Sequence, residues 1–226
     1  MTLYTALGIF GTDGNRRRRH PLVTTDRDKQ LLDIPEMVIW ATLKARFLEL
    51  PQLERLYENR IALYCLESVP PCSAYIDRMI QRGLIAEGHG ERGHDALYDL
   101  LADLQIVPTQ HGFFYRLSSF LRLTVSGRLP ICTARSLLHK PHLSRGEKDV
   151  MDICGKVRLS TAEVITCIEN GHKDMSSEGD VLSALYSDSY TTFYNIGGEA
   201  RACFNEMPCL TAIANLYLRQ HIALEL

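Results

Sequence analysis

Four adjacent arginines, Arg16, Arg17, Arg18 and Arg19, follow the turn-forming stretch from Gly11 to Asn15. Four neighbouring cations repel one another unless an anion is close. An arm that reaches phosphates or a minor groove would supply that anion; a solvated loop would not need one. A second basic region is longer. Between residues 104 and 146 stand Arg116, Arg122, Arg128, Arg135, Lys140 and Arg145, with no Asp or Glu. His111, His139 and His142 lie in the same stretch, among Phe113, Phe114, Tyr115 and Phe120. Cations interleaved with aromatics fit a nucleic-acid surface. The helical spacing of those aromatics points instead to core packing, with the cations docking the acidic C-terminal part within the same protein or across a dimer.

Metal and catalytic patterns are sparse. His139-x-x-His142 and Cys203-x5-Cys209 lack the paired spacings of a structural zinc site, and Cys132 with His139 and His142 makes only a loose set. The chain has no phosphate-binding glycine loop, dinucleotide fingerprint, HExxH or GxSxG. Asp99 and Asp103 fall on one exposed helical face and read as solvated. The expectation is a protein that is not an enzyme and holds no cofactor or metal.

Composition bounds the setting. The 226 residues are 46% hydrophobic and 23% charged, with a formal net charge of −2. That balance excludes a uniformly nucleic-acid-coating protein and leaves room for a local basic patch. The seven cysteines are irregularly spaced and mostly inside apolar patterns, which reads as reduced thiols of a soluble, cytoplasmic protein. No apolar run approaches the roughly 18 residues a membrane helix needs, so no membrane partner is expected.

The elements that would position these residues are mainly helices. Residues 1–34 read as an irregular basic arm, with Leu22–Thr25 as a short strand. Pro35 suits the first turn of a helix to about Leu48, and Pro51 opens a second. A turn at Ser68–Pro71 leads to a third, with Ile76, Met79, Ile80 and Leu84 inward and Gly83 as its C-terminal cap. Asp95 caps a fourth, and Phe113–Thr124 suggests a fifth. Ser144-x-x-Glu147 and Ser160-x-x-Glu163 are capping boxes that open later helices. A faint repeat runs at an offset of 111: Leu48 with Leu159, Leu53 with Val164, Tyr57 with Ile168, and Glu58-Asn59 with Glu169-Asn170. A duplication accounts for it, and so do two generic helical hairpins.

The third helix continues as Arg82-Gly83-Leu84-Ile85-Ala86-Glu87 into the glycine-rich Gly88-His-Gly-Glu-Arg-Gly93. Over about residues 36–98 this resembles the winged-helix superfamily, where a recognition helix steps into a two-stranded wing. The resemblance implies a helix in the major groove, with Arg78, Gln81 and Arg82 reading bases and Ser73 and Tyr75 near its start. Arg pairs bidentately with guanine and Gln with adenine. His89 and Arg92 would sit at the wing tip near phosphates. Two features depart from the pattern: no second wing strand follows Gly93, and Asp77 puts a carboxylate on the reading face. The i, i+4 spacing of Arg78 and Arg82 is also that of a solvated helix face.

The expected architecture is thus a basic arm (1–34), a winged-helix-like module (35–108), a basic helical connector (109–143) and an acidic helical module (144–226), mainly α. The C-terminal part reads as a degenerate second winged-helix copy suited to protein contact or dimerisation, because its third helix carries Glu178 and Asp180 and no Lys or Arg. The first functional expectation is a transcription regulator that binds double-stranded DNA. The alternative is a protein–protein interaction adaptor, homodimeric or bound to an acidic protein, without DNA.

Overall fold

The computed structural model describes residues 1–13, 20–26, 28–64, 70–109, 142–172, 177–187 and 190–226. Of the described residues 51% are helical and 19% lie in strands, which form three small antiparallel sheets. The expected mainly α chain is therefore corrected to a mixed α/β one. Leu22–Thr25, expected as a short strand, falls almost wholly within a strand at His20–Thr24; most of the others escape a reading of the sequence because each is five residues or shorter and many pair across long sequence separations.

The first 34 residues are not an irregular arm. They carry β1 (Thr2–Ala6), β2 (Ile9–Asp13), β3 (His20–Thr24) and β4 (Lys29–Leu31), the last three forming one sheet in sequence order. Arg16, Arg17, Arg18 and Arg19 belong to the β2–β3 connection and lie outside the described residues. The helices α1 (Ile34–Leu43), α2 (Leu50–Ile61) and α3 (Ser73–Gln81) follow, and then β5 (Ile85–His89) and α4 (Gly93–Leu101). A second set comprises β6 (Gln105–Pro108), α5 (Arg145–Cys154), β7 (Leu159–Ser160), α6 (Thr161–Glu169), α7 (Glu178–Leu185), α8 (Ile196–Arg201), α9 (Glu206–Leu218) and β8 (Ile222–Glu225). The C-terminal part, expected to be helical throughout, closes on the sheet β7-β6-β8. The helix expected at Phe113–Thr124 lies outside the described residues.

The strand that pairs with β5 does not follow Gly93. It is β1, with Tyr4 opposite Glu87. The glycines there serve a helix rather than a hairpin tip. A Cβ on Gly88 would stand 2.4 Å from the Cβ of Leu100, and one on Gly90 would stand 2.3 Å from the Ala96 nitrogen. Only glycine lets α4 lie this close to β5.

Several elements of the two sets correspond. The bounds of α5 are those of α1 plus 111, and α6 begins at Thr161, 111 residues after Leu50 at the start of α2. Tyr4 bridges Leu48 on one side and pairs with Glu87 on the other; Ile106 pairs with Leu159 and with Leu224 in the same antiparallel sense. The third helix of the first set, α3, and the last helix of the second, α9, end alike. Gly83 N–H donates to the Ile80 carbonyl and Leu84 N–H to that of Met79; Gln220 N–H donates to the Tyr217 carbonyl and His221 N–H to that of Leu216. Gly83 and Gln220 both take positive φ, 65° and 59°. The strand pairing, the starts of two helices and one helix-end motif are thus common to the two sets.

Each set has its own core. Ile39, Leu43, Leu53, Ile76, Met79 and Ile85 pack together in the first, and Val150, Ile153, Val164, Ile165, Ile213 and Leu224 in the second. Leu7, just past β1, is buried in the second core. Its N–H donates to the Leu84 carbonyl, and the Gly8 N–H donates to the Leu224 carbonyl. The Tyr217 hydroxyl, buried on α9, donates to the Ala6 carbonyl at 2.9 Å and accepts from Thr5 at 2.8 Å. The first strand therefore joins both units.

Candidate functional site

The outward face of α3 is where the sequence places it. Ser73, Arg78 and Gln81 are exposed, Tyr75 and Arg82 are half-buried, and Ile76, Met79 and Leu84 point into the core. What surrounds the arginines is new. Asp33 caps α1, accepting from the Glu36 N–H, while the Glu36 side chain accepts from the Asp33 N–H. This reciprocal cap holds Glu36 at 2% exposure. A buried carboxylate demands compensation, and α3 supplies it. Arg78 reaches Glu36 at 2.8 Å and Asp33 at 3.1 Å; Arg82 reaches Glu36 at 2.5 Å.

Arg82 is engaged further. Its Nε donates to the Gln30 side chain at 3.0 Å, a second terminal nitrogen donates to the Leu31 carbonyl at 2.8 Å, and Gln30 returns a bond to the Arg82 carbonyl. Arg78 also lies over the Tyr75 ring, 5.2 Å from its centroid. Two cations thus face Asp33 and Glu36, with Asp77 exposed on the same helix.

Sequence reasoning misses Gln30, Asp33 and Glu36. For the two acids a signal exists, because Asp33-x-x-Glu36 has the same capping form as Ser144-x-x-Glu147. The second unit repeats the arrangement: Glu147, also 2% exposed, receives Arg219 at 3.2 Å from the end of α9.

The other residues of interest stand apart. His89 and Arg92 are exposed at and beyond the far end of β5, with His89 roughly 13 Å along the strand from Ile85 at the usual rise per residue. His89 faces Thr2, 3.1 Å from its hydroxyl, and its backbone N–H donates to the Asp99 carboxylate. The structure therefore gathers Arg78 and Arg82 about Glu36 and leaves His89 and Arg92 elsewhere. Of the acid-free stretch, His142 and Arg145 are described, both exposed near the start of α5; the remaining cations and Cys132 lie outside the described residues.

Among the described residues no group of His, Cys, Asp and Glu could hold a metal ion. Burial pushes the thiols of Cys72, Cys154 and Cys167 up to about 12 and that of Cys209 to about 11. Such thiols are neutral at physiological pH and are poor nucleophiles. No described helix is long and apolar enough to cross a membrane.

A second feature has no counterpart in the sequence reading. A cavity of about 520 Å³ runs between α1, the end of α2 and Phe10 of β2. A second, of about 370 Å³, lies between β2, α1 and β8. They share Phe10, Trp40 and Lys44. Trp40 is buried, donates its indole N–H to the Leu7 carbonyl and stacks obliquely on Phe10, with ring centroids 5.7 Å apart.

Comparison with known proteins returns no match to a protein family, a characterised protein or a solved structure.

Proposed function

We propose that this chain is a non-enzymatic protein–protein interaction module of the cytoplasm, winged-helix-like in its first unit, and not a reader of duplex DNA. The observation that carries this reading is the engagement of Arg78 and Arg82 by Asp33 and Glu36. Phosphate binding draws its free energy from uncompensated positive charge, and base reading needs guanidinium donors free to turn outward. Here the two guanidinium groups already have carboxylate partners, and Arg82 is spent on three side-chain and backbone acceptors. The recurrence of the pair as Arg219 and Glu147 supports a role in holding the unit together.

Fluorescence anisotropy of a labelled mixed-sequence duplex, titrated with the full chain at low and at physiological salt, tests the reading. The expected result is no binding that depends on Arg78 and Arg82. Tight binding with a steep salt dependence that Arg78→Ala and Arg82→Ala abolish would reverse the choice in favour of the DNA regulator.

A further inference from the structure

From the paired cavities we infer that the groove across α1 is a docking site for an apolar segment of a partner protein that carries a carboxylate. The inference rests on the interaction-module reading and names its partner. The groove has an aromatic wall, Phe10 and Trp40, and an exposed apolar rim in which Leu63 is 81% and Tyr64 is 45% exposed. Among the described residues, the charged ones lining the two cavities are Lys44 and Arg60, with no Asp or Glu. Among the described residues neither cation is paired with a carboxylate: Lys44 lies 5.7 Å from the centroid of the Trp40 ring, and Arg60 donates to the Thr42 hydroxyl. A wall of apolar and aromatic surface that carries two cations is complementary to an amphipathic acidic segment, the mode in which a helix lays its apolar face in a groove.

The internal repeat separates the two cations from the positions that build the unit. Positions that build the unit keep their character in the second copy: Glu36 becomes Glu147, Ile39 becomes Val150 and Leu53 becomes Val164. The groove positions do not. Trp40 becomes Met151, Lys44 becomes Gly155, Arg60 becomes Gly171, and Ala41 becomes Asp152. The two cations belong to one copy only, as those of a ligand-binding face would, whereas Trp40 also packs in the first core. The two cavities have Phe10, Trp40 and Lys44 in common, so both cations and the aromatic wall border one region of the surface.

Trp40 is the chain's one tryptophan, so its emission reports occupancy directly. The test is a random linear-peptide phage library panned against the full chain, with enriched peptides then titrated by Trp40 fluorescence. Enriched peptides are expected to combine aromatic or aliphatic residues with Asp or Glu and to shift the emission. Their affinity should fall at least about tenfold in Lys44→Glu, and should also fall in Leu63→Asp. Both side chains are exposed, so circular dichroism of the two variants should match the parent. No enrichment, or enriched peptides that bind both variants as tightly as the parent, would overturn the groove. Peptides binding elsewhere would overturn it too, while leaving the interaction-module reading in place. Arginine-dependent duplex binding would remove that reading without touching the peptide result.

Discussion

Arg82 meets Glu36 at 2.5 Å on the rim of the first core, and the second unit repeats the contact as Arg219 on Glu147. In both, the carboxylate is the third residue of a helix N-terminus and the arginine closes the last helix before a strand. A nearly buried carboxylate left without its cation is costly, although the exposure of the arginine reduces that cost. Arg219→Ala is expected to lower stability by about 2 kcal/mol after that discount. Asn215 occupies the place of Arg78 and makes no such contact among the described residues, so Asn215→Ala should change stability by less than about 0.5 kcal/mol. Urea unfolding of the two variants measures both.

The helix ends make a prediction of opposite sign in the two units. Gly83 and Gln220 hold the same left-handed position, which a side chain resists. Gln220→Gly should raise stability by about 1 kcal/mol, and Gly83→Ala should lower it by at least as much. In Gly83→Ala the new Cβ would also stand 3.0 Å from Leu226. Thermal denaturation followed by circular dichroism would show the two shifts.

Tyr217 links the last helix to the first strand, and its hydroxyl is paired on both sides. Tyr217→Phe leaves the buried Ala6 carbonyl without this donor, and is expected to cost about 1–3 kcal/mol. The wild-type chain should unfold in one transition, because β1 contributes to both units. Separate transitions by fluorescence and circular dichroism would contradict that coupling.

The thiols offer a pH test. A raised pKa means less thiolate at any given pH, hence slower alkylation, whereas an unfolded cysteine ionises at about 8.5. Cys72, Cys154 and Cys167, held up to about 12, should stay unreactive towards iodoacetamide through about pH 9 in the native protein and react on unfolding. Cys203, less buried than the other described cysteines, should react first among them. Mass mapping of the labelled sites checks the order.

Helices are legible in the sequence where a local signal exists. Pro35, Pro51, Ser144 and Ser160 stand at real helix starts, and Gly83 at a real helix end. Asp95 is not the cap of α4; it lies inside the first turn, and Arg92 holds the cap position. Of the strands, β3 is legible at Leu22–Thr25, whereas β1 is not, since β1 and β5 pair 79 to 87 residues apart and β1 has no alternation that marks it. The repeat is visible at Leu48 and Leu159 but not beyond α6. About 26 extra residues enter the second copy before its closing helix, moving the offset from 111 to 137. The exposure of the α3 face follows from helical spacing. The fate of its arginines does not, because Gln30, Asp33 and Glu36 approach from the preceding strand and helix.

The measurement that bears most directly on whether the α3 arginines brace the fold is a double-variant experiment on the full chain. Arg78→Ala, Arg82→Ala and their combination would be compared for urea stability and for low-salt duplex binding. Either arginine alone can partly neutralise Glu36, so the combined loss of stability should exceed the sum of the single losses, with duplex binding unchanged. Stability indifferent to both substitutions, together with a loss of salt-dependent duplex binding, would contradict the account.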